Sequence, residues 1–218
     1  MKAITINLYE LQELNEQAKQ KALDEYRYIN VEHEWWDYIF EDFKTICATI
    51  GIIADTDKMY FRGFHSRGDG SAFDATINVP ALLEGIRQEK WKEYAPNEKL
   101  SFVAMTIDTR ILNLFKMQLL DSPVIISKSH YIIVEQPFDF EYNKRTDFTH
   151  IEEKLEVIRD WIEGVAKQLN RFFYKMLSDE YDNLISNELV TETIEANEYQ
   201  FTSDGKPANR LALLASEF

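Results

Sequence analysis

Met59-Tyr60-Phe61-Arg62-Gly63-Phe64, His65-Ser66-Arg67-Gly68-Asp69-Gly70 and Ser71-Ala72-Phe73-Asp74-Ala75-Thr76-Ile77 form the stretch on which the fold turns. In the first segment Met59, Phe61 and Gly63 alternate with Tyr60, Arg62 and Phe64; in the last, Ser71, Phe73, Ala75 and Ile77 alternate with Ala72, Asp74 and Thr76. Period-two alternation on both sides of a glycine-rich connection predicts an antiparallel hairpin. The strand character runs from Ile52 to Val79.

On the N-terminal side, Lys2 to Tyr9 alternates as a strand, with Ile4, Ile6 and Leu8 on one face. Asn15 is placed to cap a helix carrying Ala18, Ala22 and Tyr26 at intervals of four. Trp36, Ile39, Phe43, Ile46 and Ile50 predict a second helix, closed by Gly51 as a left-handed residue. On the C-terminal side, Pro80 opens a helix predicted to reach about Glu93, and Leu100, Ala104, Ile107, Ile111 and Leu114 have helical spacing. Val124 to Val134 reads as one long strand or two strands turning near Ser127-Lys128-Ser129.

The longest helix follows: Thr149 and Glu152 have capping-box spacing, and Ile151, Leu155, Ile158, Ile162, Val165, Leu169, Phe172 and Met176 form its apolar stripe. That stripe packs on the sheet or, alternatively, forms a homodimer seam through residues 151–176. A short helix from Ser186 to Ala196 leads to an Asp204-Gly205 turn. Strands and helices without regular βαβ alternation predict an α+β fold, an antiparallel sheet packed against several helices. No repeat or linker interrupts residues 1–218, which predicts a single domain.

The chain carries 38 Asp+Glu against 24 Lys+Arg, a formal charge of −14 with pI near 4.8. This argues against direct binding of nucleic acid or anionic lipid, both of which require a cationic face. The lone Cys47 forms no internal disulfide, no run reaches a membrane span, and Met1–Ile6 lacks the apolar stretch of a signal peptide; these readings predict a cytoplasmic protein.

Three of only seven glycines, Gly63, Gly68 and Gly70, cluster at the hairpin connection. They serve turn geometry alone, or they support a recognition loop displaying Phe64, His65, Ser66, Arg67 and Asp69. An enzymatic version has Arg67 binding an anionic substrate while Asp69 or His65 exchanges protons. The surroundings of Ser66 lack the glycine that a nucleophile elbow needs at Phe64. His33-Glu34-Trp35-Trp36-Asp37 departs from the zincin pattern at Asp37, where a second histidine is required, and the scattered His130 and His150 complete no metal set. No catalytic residue, metal or cofactor is assigned.

The acidic residues fall in blocks without Lys or Arg: Glu32 to Asp42, and Asp179 to Asp204 with Glu188, Glu192 and Glu195. These blocks are a solvated surface, or an anionic face that steers onto a basic partner.

Three stretches together carry a family resemblance: Ala22-Leu23-Asp24-Glu25-Tyr26-Arg27-Tyr28-Ile29-Asn30 with Trp35-Trp36, Tyr60 to Phe73, and Thr193 to Gly205. The chain resembles a family of small acidic proteins encoded mainly by phages and prophages, whose loop pattern is G-F-x-S-Q-G-D-G-x-x-F. Arg67 stands at the Gln position, and residues 79–147 carry no match. The resemblance implies a phage accessory protein made in the host cytoplasm. By analogy with small acidic phage proteins it implies an inhibitor of a host protein, an anti-CRISPR or anti-restriction-like agent or a DNA mimic, that meets a basic surface. An antitoxin-like regulatory module is the other non-enzymatic expectation.

Overall fold

A computed structural model describes residues 7–128, 131–135 and 149–208. The chain is α+β. It divides into two compact units, one built from residues 1–35 and 178–218 and the other from 36–177.

The larger unit is built on the predicted hairpin. Strand β1 (Ile52–Arg62) pairs antiparallel with β2 (Gly70–Ile77), from Ile52 opposite Ile77 to Arg62 opposite Gly70, with an irregularity between Ala54 and Met59. The Val124–Val134 segment resolves into two strands, β3 (Val124–Lys128) and β4 (Tyr131–Glu135), and the sheet order is β1-β2-β3-β4. Ile52, Ala54 and Met59 of β1 and Phe73, Ala75 and Ile77 of β2 are buried, whereas Ile53 and Tyr60 face outward at 67% and 56% exposure. The alternation read from the sequence is thus largely that of one covered face, interrupted at Ala72, which is buried although it belongs to the opposite set.

Helix α2 (Asp37–Thr49) lies against this sheet, with Phe43 edge-on to Phe73 at 5.0 Å. Gly51 follows it at φ +77°, and a Cβ there would come within 2.5 Å of the Ala81 Cβ, so both conformation and space require glycine. Helix α3 (Val79–Arg87) is capped by Asn78, whose Oδ1 accepts from the Ala81 amide. It is shorter than predicted: Glu89 takes a left-handed φ of +50° and the chain restarts as a 3-10 turn over Lys90–Glu93. The helix predicted from Leu100 is likewise confined to α4 (Thr109–Lys116). Asp108 is non-helical, with φ −52° and ψ 128°, and its carboxylate accepts from the Arg110 amide, which sets the start of the helix.

Helix α5 (Thr149–Leu184) contributes residues to both units. Leu155, Ile158, Ile162, Val165, Leu169 and Phe172 are all buried within the chain, and Phe173 stacks on Phe43 at 4.4 Å. The stripe therefore packs on the chain's own core, and between Leu155 and Phe172 it offers no free seam for a second copy. Cys47 is also core, and burial pushes its thiol well above the usual range.

In the smaller unit, α1 (Glu16–Glu25) is capped by Asn15 as predicted and packs with α6 (Asn187–Ala196), capped by Ser186. Leu11, Ala18, Ala22, Leu23, Val190, Ile194 and Phe201 form the core between them. Tyr9 bridges Phe201 through two backbone hydrogen bonds of 2.8 Å. Of the rest of the predicted first strand, Asn7 and Leu8 are irregular, and Lys2 to Ile6, like His130, lie outside the described residues.

Candidate functional site

The hairpin loop is held by its own aspartate. The Asp69 Oδ2 accepts from the backbone amides of His65 at 2.8 Å and Ser66 at 2.5 Å, and the Asp69 amide donates to the Ser66 carbonyl at 3.1 Å. Gly63 and Gly68 adopt φ of +53° and +92°, conformations that a side chain rarely takes. At Gly63 a Cβ would sit 2.7 Å from the Asp69 carboxylate. The small amide nest in this loop is therefore filled internally by a carboxylate.

An aromatic run supports the loop from below. Trp36 meets Phe61 edge-on at 5.3 Å, Phe61 stacks with Phe64 at 5.6 Å, and Phe64 lies 5.7 Å from Tyr174 of α5. The Tyr174 hydroxyl donates to the Gly63 carbonyl at 3.1 Å; burial, and then the charge of Asp69, raise its pKa above the ordinary phenol value. One turn earlier on α5, Asn170 Nδ2 donates to the Ser71 carbonyl at 2.9 Å. The buried Ser71 hydroxyl lies 3.0 Å from the Asn170 carbonyl and 2.9 Å from its Oδ1. The loop base is clamped on both strands.

Of the loop residues named from sequence, Phe64 belongs to the supporting aromatic run and Asp69 to the turn itself, while His65, Ser66 and Arg67 are exposed. Asp69 is thus a structural acceptor, which weakens the reading in which it exchanges protons. No group of three or more metal-binding side chains occurs among the described residues. The residues missed by the sequence reading are Asn170 and Tyr174, which carried no signal because they lie 99 and 111 positions from their partners.

The second candidate is the acidic surface. Glu188, Glu192, Glu195 and the following Glu198 are all exposed, and none has a cation within ion-pair distance among the described residues. Glu188 and Glu192 line a groove against α1 with Glu16, Lys19 and Thr191. Glu195 and Glu198 line a separate polar groove of about 340 Å³ with Glu10 and Tyr199. The three sequence-predicted glutamates therefore lie on one helix but address two grooves. The charge is unevenly divided: residues 1–35 and 178–218 hold 16 Asp+Glu against 6 Lys+Arg, and residues 36–177 hold 22 against 18. Most of the −14 thus belongs to the smaller unit.

These features define an α+β chain with a self-closed glycine-rich hairpin and a strongly acidic helical unit. It belongs to the DUF8835 family, a domain of unknown function, whose model matches residues 35–187. No curated protein and no solved structure matches the chain. The match contains the loop, its aromatic support and Asn170, and ends just before Glu188. No helix among the described residues is long and apolar enough to cross a membrane.

Proposed function

We propose that this is a non-enzymatic binding protein whose acidic unit docks on the basic surface of a protein partner. In this reading it acts in the cytoplasm as an accessory protein of phage type and inhibits a host defence or nucleic-acid-handling complex by presenting a DNA-like negative face. The observation that carries it is the concentration of carboxylates in residues 1–35 and 178–218, 16 acidic against 6 basic, with Glu188, Glu192 and Glu195 exposed on α6. An unneutralised face of this kind accelerates encounter with a cationic surface and makes the complex salt-sensitive.

The test is affinity capture from host lysate, read by mass spectrometry, with the wild type and a Glu188→Lys, Glu192→Lys, Glu195→Lys variant. A basic protein held at about 0.1 M salt, released at about 1 M and absent from the variant supports the proposal, because screening shortens from about 10 Å to about 3 Å over that range. Recovery of no basic protein at low salt, or equal recovery by the charge-reversed chain, overturns it.

A further inference from the structure

The acidic unit also carries an aromatic cluster, in which Tyr28 is exposed and Trp35 and Tyr181 are half-buried. Tyr28 is 57% exposed, beside the 3-10 turn Ile29–Val31. Trp35 lies at the end of the same segment, its ring 6.0 Å from that of Tyr181 in the last turns of α5, tilted by 48°. Tyr28 and Asp182 lie close enough to Tyr181 to act electrostatically on its phenol, and with burial as the largest cause they raise its pKa.

The backbone beneath these rings is fixed. Asn30 Nδ2 donates to the Leu184 carbonyl at 3.0 Å, Arg27 Nη1 donates to the Ile185 carbonyl at 2.9 Å, and the Trp35 amide donates to the His33 carbonyl at 2.8 Å. Thr193 Oγ1 donates to the Asn30 Oδ1 at 2.8 Å, so a third element holds the same turn. The rings are therefore presented by a braced segment, which lowers the ordering cost of binding.

The rim is anionic. Glu32, Glu34 and Asp182 are exposed, and no Lys or Arg occurs from Tyr28 to Trp35 or from Ser178 to Gly205. The nearest cation in sequence, Arg27, is committed to Asp24 at 2.8 Å and to the end of α5. Aromatic faces bear negative potential and attract cations, and carboxylates at their edge add to that field. An anionic base-and-phosphate ligand would be repelled by the rim, and a purely apolar one would leave those carboxylates desolvated without a partner. A guanidinium satisfies both parts: it is planar, weakly hydrated, stacks on aromatic rings and pairs with carboxylates through a fixed fork.

We propose that the Tyr28, Trp35 and Tyr181 surface, rimmed by Glu32, Glu34 and Asp182, docks arginine side chains of an arginine-rich segment on the partner. This rests on the binding function proposed above and names the chemistry of what is bound. Lysine, a compact and strongly hydrated charge, meets the same carboxylates but gains less from the rings.

The test uses the full chain with fluorescent nona-arginine and nona-lysine peptides, followed by anisotropy at about 0.1 M salt. The wild type should bind nona-arginine at least about threefold more tightly than nona-lysine. Tyr28→Ala should weaken nona-arginine by about threefold and remove the preference, and Tyr28→Phe should restore it. Because Tyr28 is largely exposed, these variants leave the core intact, and a circular dichroism melt checks this. Glu188→Lys with Glu192→Lys and Glu195→Lys should weaken both peptides together and leave the preference in place. Equal binding of the two peptides, with Tyr28→Ala silent, overturns the arginine site while leaving the acidic-face reading standing if the α6 variant weakens both. No binding of either peptide to the wild type overturns both readings.

Discussion

Replacing Asp69 by alanine tests whether the loop is closed by its own carboxylate. Two amides converge on one oxygen at 2.8 and 2.5 Å. Hydrogen bonds to a charged acceptor contribute about 1.5–3 kcal/mol where water is excluded; His65 and Ser66 are exposed, so water recovers much of that and about 1 kcal/mol each is appropriate. The Asp69→Ala chain should therefore be about 2 kcal/mol less stable, a fall of roughly 4–8 °C in melting temperature for a domain of this size. Locally, exchange of the His65 and Ser66 amides should accelerate by about thirtyfold, since each 1.4 kcal/mol is a factor of ten. Asp69→Asn keeps an acceptor oxygen and should lose only about half of this. Both variants remove the charge that raises the Tyr174 phenol, so its titration should move down while the contribution of burial persists. Hydrogen exchange and ultraviolet difference titration provide the readouts. Unchanged amide exchange and an unchanged melt in Asp69→Ala would refute the structural role and return Asp69 to the list of candidate proton-transfer groups.

Gly205 has φ +80°, and a Cβ there would lie 2.1 Å from the Ala18 carbonyl oxygen. Gly205→Ala should cost at least about 2 kcal/mol, more than Gly68→Ala, where φ is +92° but the space is open and only the left-handed backbone penalty of about 1–2 kcal/mol applies; equal melts for the two variants would contradict this. Asp204 is held below the ordinary carboxylate range, first by the Thr202 hydroxyl and then by Lys21. A depressed folded-state pKa contributes stability above the unfolded value of about 4 that is lost as pH falls through the folded one. Denaturant melts from about pH 5 to about pH 2 should accordingly show a larger loss for the wild type than for Asp204→Ala. Finally, Glu192→Gln with Glu195→Gln should raise the melting temperature by a degree or two while weakening partner binding, because α6 has no basic residue in its last turn to offset those charges; a lowered melting temperature would show that the two glutamates stabilise the helix.

What was legible in the sequence divides along the range of the interactions. The hairpin followed from alternation, and the helix start at Asn15 from local capping chemistry, both read within a few residues. Two helices were overextended because apolar spacing alone does not report backbone partners. Ahead of α4 the chain engages elsewhere, with the Trp161 indole donating to the Val103 carbonyl at 2.7 Å and Asp108 starting the helix late. Beyond α3, a left-handed Glu89 is a conformation that no composition rule announces. The division into two units was invisible for a related reason: one boundary falls between Leu177 and Ser178, inside a continuous helix, where no linker residues mark it.

The charge arrangement bears most directly on function because stability alone does not account for it. On α6, Glu188 in the first turn is favourable to the helix dipole, but Glu195 in the last turn opposes it, and Glu188 and Glu192 repel at the i, i+4 spacing. The buried face of the same helix is conventional, with Val190 and Ile194 in the core. Elsewhere many carboxylates are offset by nearby cations, as Glu41 by Lys44, Glu84 by Arg87 and Glu163 by Lys167. The 36–177 unit therefore shows the mixed, paired surface that solubility requires, whereas α6 tolerates repulsion that one or two lysines would relieve. A surface that retains an avoidable cost supports the proposed docking on a basic partner.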